Sequence, residues 1–255
     1  MATKETKHEI IARLKRDLLQ WQEALPAVGS EGRMRLGRME EAFPGGNFPV
    51  RAVHEFICAG REEGAATSGF IGGLLSRLME QGKVCLWIGT HRAVYPPAIK
   101  MFQIEPSHLL FVELARQKDV LWAVEEALKY KGLAAVVGEV MAMDFVQSRR
   151  LQLAVEKSGV TALIIRHLTS QSAKKIGTTA SAVRWRITSM PSEPVEKGMP
   201  GVGFPRWEVE MLKVRNGNPG RWTVEWRRGD FVSVSPPEAG SANTESSQTW
   251  RRVSG

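Results

Sequence analysis

The chain has 255 residues, 43% of them apolar and 24% charged, and a formal net charge of +8. That is enough to bury one full core and fits a single globular domain with flanking segments better than two domains. The positive balance favours an acidic partner, nucleic acid first, although basic charge also serves solubility. No stretch approaches the roughly 18 apolar residues of a membrane span and the first residues mix charges, so no membrane association is expected and a cytoplasmic location is. Cys58 and Cys85 sit singly in apolar runs without metal-ligand spacing, which points to buried thiols, a reducing compartment and no metal site.

In chain order, Ile10, Ile11, Leu14, Leu18, Trp21 and Leu25 recur at spacings of three and four and predict an amphipathic helix over 8–25, ended by Pro26 and Gly29. Such a helix either packs on its own core or docks on a partner, which makes Leu14, Leu18 and Trp21 candidate docking residues. Residues 1–35 are therefore read as a helix and linker, 36–234 as the main domain, and 235–255 as a tail too poor in apolar residues to pack and expected to be disordered. Trp250, Arg251 and Arg252 in that tail set an aromatic anchor beside two cations and are a second candidate docking motif.

From residue 50 onward, apolar strands alternate with helical patterns. Strands are predicted at 53–58, 84–88, 109–112, 134–137 and 162–165, with helices over 70–79, 96–102, 120–129 and 145–158 between them. That alternation implies right-handed crossovers and a mainly parallel sheet, hence an α/β fold. The last third changes to a period of two at 183–187, 207–214 and 221–226, with a turn over 216–220, and predicts antiparallel strands at the C-terminal end.

Between the first strand and the first helix stands Ala59-Gly60-Arg61-Glu62-Glu63-Gly64-Ala65-Ala66-Thr67. The position is that of a phosphate-cradling loop, whose G-x-x-x-x-G-K-[ST] pattern combines backbone amides, a helix N-terminus and a lysine at the β/γ-phosphates. Here Ala65 and Ala66 take the lysine and hydroxyl places. Gly60 and Gly64 then serve either as turn residues or as a weak anion site, and Glu62 and Glu63 repel a triphosphate. His91, Arg166 and His167 fall near strand ends, where open α/β sheets bind ligands; the alternative is that they are structural. No Ser or Cys nucleophile is paired with them, and no catalytic residue is assigned.

The order of elements over about residues 43–232 resembles the RecA-type recombinase core. Phe43-Pro44-Gly45-Gly46-Asn47-Phe48-Pro49 is similar to that family's entry to the first strand, 85–91 to its second strand, and Ala134-Ala135-Val136-Val137-Gly138-Glu139-Val140 to its Walker B strand. By the family pattern the phosphate lysine becomes Ala65, the Walker B aspartate Gly138, and the glutamate that activates water His91. Glu139, one place on, is expected to point to the other face of the strand. Lysine, metal carboxylate and base are thus all expected to be missing, and no cofactor is expected.

Val53-His54-Glu55 before the loop, Gly64-Ala65-Ala66 in place of Gly-Lys-Thr, Leu86-Trp87-Ile88, and Ser181-Ala182-Val183-Arg184-Trp185-Arg186 resemble the ImuA family. That resemblance implies a non-catalytic RecA-like adaptor in damage-induced mutagenesis, with an ImuB-type polymerase-like protein as partner. RecA, an error-prone replicative-type polymerase and DNA are further implied contacts. Lys174 and Lys175 stand where the recombinase core carries its second DNA-contacting loop. Arg184 and Arg186 share one face of a strand with Trp185 on the other, so all four cations are candidate DNA contacts, and Trp185 is read as core before base-stacking platform. The alternatives to the adaptor are a DNA-stimulated ATPase with an unorthodox site, using Arg61 or a neighbouring subunit's cation, and a SulA-type inhibitor of cell division.

Overall fold

The computed structural model describes residues 34–92, 94–168, 176–194 and 202–234. The predicted helix at 8–25, Lys174, Lys175 and the tail motif Trp250-Arg251-Arg252 lie outside the described residues. The strands are β1 (Val53–Cys58), β2 (Val84–Gly89), β3 (Leu109–Glu113), β4 (Leu133–Val140), β5 (Thr161–His167), β6 (Val183–Met190), β7 (Arg206–Val214), β8 (Gly220–Arg227) and β9 (Asp230–Val234). The helices are α1 (Arg61–Leu78), α2 (Gln117–Ala127) and α3 (Phe145–Ser158). The strands form one sheet in the order β3-β2-β4-β5-β1-β6-β7-β8-β9. Pairing is parallel from β3 to β6 and antiparallel from β6 to β9. The fold is α/β, with the mainly parallel centre and antiparallel end that the patterning predicts.

The central strands are apolar on both faces because both faces are covered. Phe56, Trp87, Val137, Leu163 and Trp185 pack under α1, while Val53, Leu86, Val136, Ala162 and Ile164 pack under α2 and α3. β1 divides its side chains accordingly: Phe56 and Cys58 join the α1 core, whereas Glu55 turns to the opposite face. Met34 and Leu36 belong to the α1 core as well.

Helix α1 departs from the sequence expectation. It begins at Arg61, directly after an extended Gly60, and not at residue 70. Ala66, Thr67, Phe70, Ile71, Leu74 and Leu75 form its buried stripe at the spacing of a helix. Gly72 and Gly73 let neighbours close in: a Cβ at 72 would lie 2.7 Å from Phe102 Cδ2, and one at 73 would lie 2.5 Å from Phe231 Cζ. The segment 96–102, expected as an α-helix, is a 3₁₀ helix that starts on two prolines. It is tied down by Trp226, whose Nε1 donates to Met101 O at 3.2 Å. Helix α3 starts on a capping box, in which Asp144 Oδ1 accepts from Gln147 N at 2.7 Å and Gln147 Oε1 accepts from Asp144 N at 2.9 Å. It stops at Gly159, whose φ of 79° suits a residue without Cβ.

Candidate functional site

The carboxyl ends of β1, β2, β4 and β5 meet the first turns of α1, which is where an open α/β sheet places a ligand. Only Ala59 and Gly60 separate β1 from the helix. Gly64 N–H already donates to Gly60 O at 3.0 Å, so Gly64, Ala65, Ala66 and Thr67 are helical residues and the expected glycine loop does not exist. The physical reason lies in the residues: Glu62 and Glu63 favour a helix N-terminus, and Ala65 and Ala66 are strong helix formers. Glu63 also reaches back, its Oε2 accepting from Ala59 N–H at 2.7 Å. The Ala59 N–H is thus taken up by the chain's own carboxylate. Thr67 is fully buried and accepts from the Cys58 thiol at 3.2 Å, away from any ligand position.

The Walker B region corrects the sequence reading in a second way. Gly138 faces α2, where a Cβ would lie 2.6 Å from Val124 Cγ2, so glycine is needed for helix-on-strand packing. Glu139, expected on the far side, faces the α1 cavity. A carboxylate is therefore retained at the site, but its oxygens are engaged. Trp87 Nε1 donates to Oε1 at 2.6 Å, and His167 Nε2 lies 3.2 Å from Oε2. Glu139 is nearly inaccessible to solvent. Among the described residues, no group of three or more His, Cys, Asp or Glu is placed to hold a metal ion.

The remaining space is a cavity of about 860 Å³, bounded by the start of α1, the 3₁₀ helix at 96–102, Trp87 and Trp207. Its walls are chiefly apolar. Gly60, Gly64, Ala65, His91, Glu139 and His167 all line it, whereas Ala66, Thr67 and Gly138 do not. His91 and Arg61 are exposed at its mouth. Cys58 lines the cavity too, and burial pushes its thiol up to about 11, with Glu63 and Glu139 adding to the shift. A thiol held in that state is a poor nucleophile.

Arg166 and His167, adjacent in sequence, go to opposite faces. Arg166 joins Glu55, which is completely buried on the α3 side. Glu55 Oε1 accepts from Arg166 Nη1 at 3.0 Å, and Oε2 accepts from Thr179 Oγ1 at 2.6 Å, Ser181 Oγ at 3.2 Å and Arg184 Nε at 2.9 Å. Arg184 Nη2 also donates to Gly177 O at 2.8 Å. The guanidinium of Arg184, a candidate DNA contact, is thus spent inside the fold, where it anchors the segment that enters β6. Lys213 Nζ supports the same segment through Thr179 O and Ser181 O, both at 3.0 Å, and burial together with Arg184 and Arg215 lowers its pKa. Arg186 pairs with Glu210 at 3.2 Å and stays partly exposed. Trp185 is core, as the alternation predicts, and its Nε1 donates to His54 Nδ1 at 3.3 Å. His54 Nε2–H in turn donates to Pro49 O at 2.9 Å. The Glu55 network was not legible in the sequence, since its partners lie more than a hundred positions apart.

These features define a RecA-like α/β protein whose first helix starts directly after Gly60 beside an apolar-walled cavity. The crystal structure of the RadB recombinase superposes with a TM-score of 0.52 at 12% identity, covering 75% of this chain and 94% of that one; at that identity the likeness speaks to fold alone. Protein ImuA from two strains of Caulobacter vibrioides is 32% identical over 195 residues, which is 73% of this chain and 80% of that protein. No protein-family model matches the chain. On the identity and coverage with Protein ImuA, the chain belongs to the ImuA family. Among the described residues, no helix is long and apolar enough to cross a membrane.

Proposed function

We propose that the protein is a non-catalytic RecA-like adaptor in damage-induced mutagenesis, which helps assemble a translesion polymerase complex with an ImuB-type partner. RecA, an error-prone replicative-type polymerase and DNA are its further contacts in this reading. One observation carries it: helix α1 begins at Arg61, Glu63 takes the Ala59 N–H, and Ala65 and Ala66 are helical residues of its first turns, so no lysine is left for a triphosphate. Membership of the ImuA family supports the same reading, as does Glu139 being held by Trp87 and His167. Hydrolysis of ATP needs metal and phosphates held together, and the cavity at this corner is walled chiefly by apolar groups. The purified protein is expected to bind the ImuB-type protein with equal affinity with and without Mg·ATP. A binding event that depends on nucleotide contradicts the adaptor reading and favours a DNA-stimulated ATPase.

A further inference from the structure

Eight large apolar side chains are exposed among the described residues, and three of them, Phe145, Val146 and Leu153, fall on α3. Helical spacing sets Phe145, Val146, Arg149, Arg150, Leu153 and Lys157 on one outward face roughly 18 Å long. All six are exposed, while Leu151, Ala154 and Val155 bury the opposite face in the core. Beside this face, Arg150, Leu153 and Lys157 border a groove of about 450 Å³ whose other wall brings Lys129, Lys131 and Glu125 from α2 and the turn after it. Four cations there meet one carboxylate, and Glu125 is already paired with Arg150 at 2.7 Å. Lys129 is held by Glu126, whereas Lys131 and Lys157 have no carboxylate partner among the described residues.

Exposed aliphatic carbons such as those of Val146 and Leu153 contribute nothing to binding phosphates. Apolar anchors flanked by arginines match the core of a protein interface instead. A second copy presenting the same positive face is repelled. We infer that the outward face of α3, with the adjoining α2–α3 groove, docks an acidic amphipathic segment of a partner protein. The apolar stripe of that segment covers Phe145, Val146 and Leu153, and its carboxylates meet Lys131 and Lys157 and share Arg149 with Glu156 at 3.9 Å and Arg150 with Glu125 at 2.7 Å, in the manner of a helix laid in a groove. This rests on the adaptor reading and names the surface through which the adaptor works.

The test uses the full-length chain and the full-length ImuB-type partner in calorimetric titration at low and high salt. Val146→Asp with Leu153→Asp, and separately Arg149→Glu with Arg150→Glu, are expected to weaken binding by at least about tenfold without changing the melting temperature. Wild-type affinity is expected to fall with added salt. A photo-crosslinking residue at position 146 is expected to capture a partner peptide that carries several Asp or Glu, and this readout decides if the aspartate variants melt early. Wild-type affinity in both double variants overturns this surface and leaves the adaptor reading standing. Capture of DNA or of a second copy at position 146 also overturns the surface, and failure of the wild-type protein to bind the partner overturns both.

Discussion

Replacing Gly64 with alanine separates a phosphate loop from a helix by the sign of a stability change. In the structure Gly64 sits in the first turns of α1 with its N–H bonded to Gly60 O at 3.0 Å. A Cβ built there meets only His167, with Cε1 at 3.4 Å and Nδ1 at 3.8 Å, which is ordinary van der Waals contact. Alanine in a helix interior is favoured over glycine by about 0.8–1 kcal/mol, part of it through lower entropy of the unfolded chain. A gain of about 0.5–1 kcal/mol is therefore expected, and for a domain of this size it raises the melting temperature by roughly 1–4 °C. Gly73→Ala, nine residues along the same helix, is the control. Its Cβ would lie 2.5 Å from Phe231 Cζ and 3.1 Å from Trp226 Cε3, both in the packed core. Overpacking of that kind costs about 1–3 kcal/mol, so this variant is expected to melt lower. Scanning calorimetry of the three proteins gives both signs in one experiment. If Gly64→Ala melts lower than wild type while remaining folded, residue 64 does not play the helical role assigned to it.

Two further predictions concern buried polar groups. His54, fully buried against Phe48 and Trp185, has its pKa lowered to about 4 by burial, against an ordinary value of 6.5, with the Pro49 hydrogen bond partly opposing the shift. A depressed folded-state value means that the stability it contributes is present above pH 6.5 and is lost as pH falls towards 4, by roughly 3 kcal/mol. Urea unfolding at pH 7 and pH 4 is expected to show a loss larger by about that amount in wild type than in His54→Gln; equal losses refute the assignment. Glu55→Ala leaves Arg166 and Arg184 facing one another beside two hydroxyls with no counter-charge, and is expected to cost about 3–5 kcal/mol in the same assay. A cost below about 1 kcal/mol would show that Glu55 does not organise the network.

Much of the sheet was legible because its physical causes are local. Apolar runs mark β2 and the first part of β4, buried on both faces, and period-two alternation marks Trp207, Val209 and Met211 on β7. The same double burial hid the direction of Glu139. When both faces of a strand are apolar, alternation carries no information, and assigning the site to Gly138 or Glu139 becomes a question of register that only packing against Val124 decides. The start of α1 was masked by glycines that suggested a loop, although Glu62, Glu63 and the two alanines already argued for helix. Strand β9 went unpredicted, yet its signal was present: Arg228 and Gly229 both adopt positive φ in a two-residue hairpin turn, the conformation a glycine there allows. The Glu55 cluster and the α2–α3 groove arise from tertiary contacts between distant segments, which no local pattern encodes.

An adaptor of this kind does not need the corner formed by Gly60, Glu63 and Glu139 to admit a triphosphate. Calorimetric titration of Mg·ATP into the pure protein measures this directly. No binding is expected at up to about 1 mM nucleotide. Micromolar affinity accompanied by steady release of phosphate would contradict a non-catalytic role.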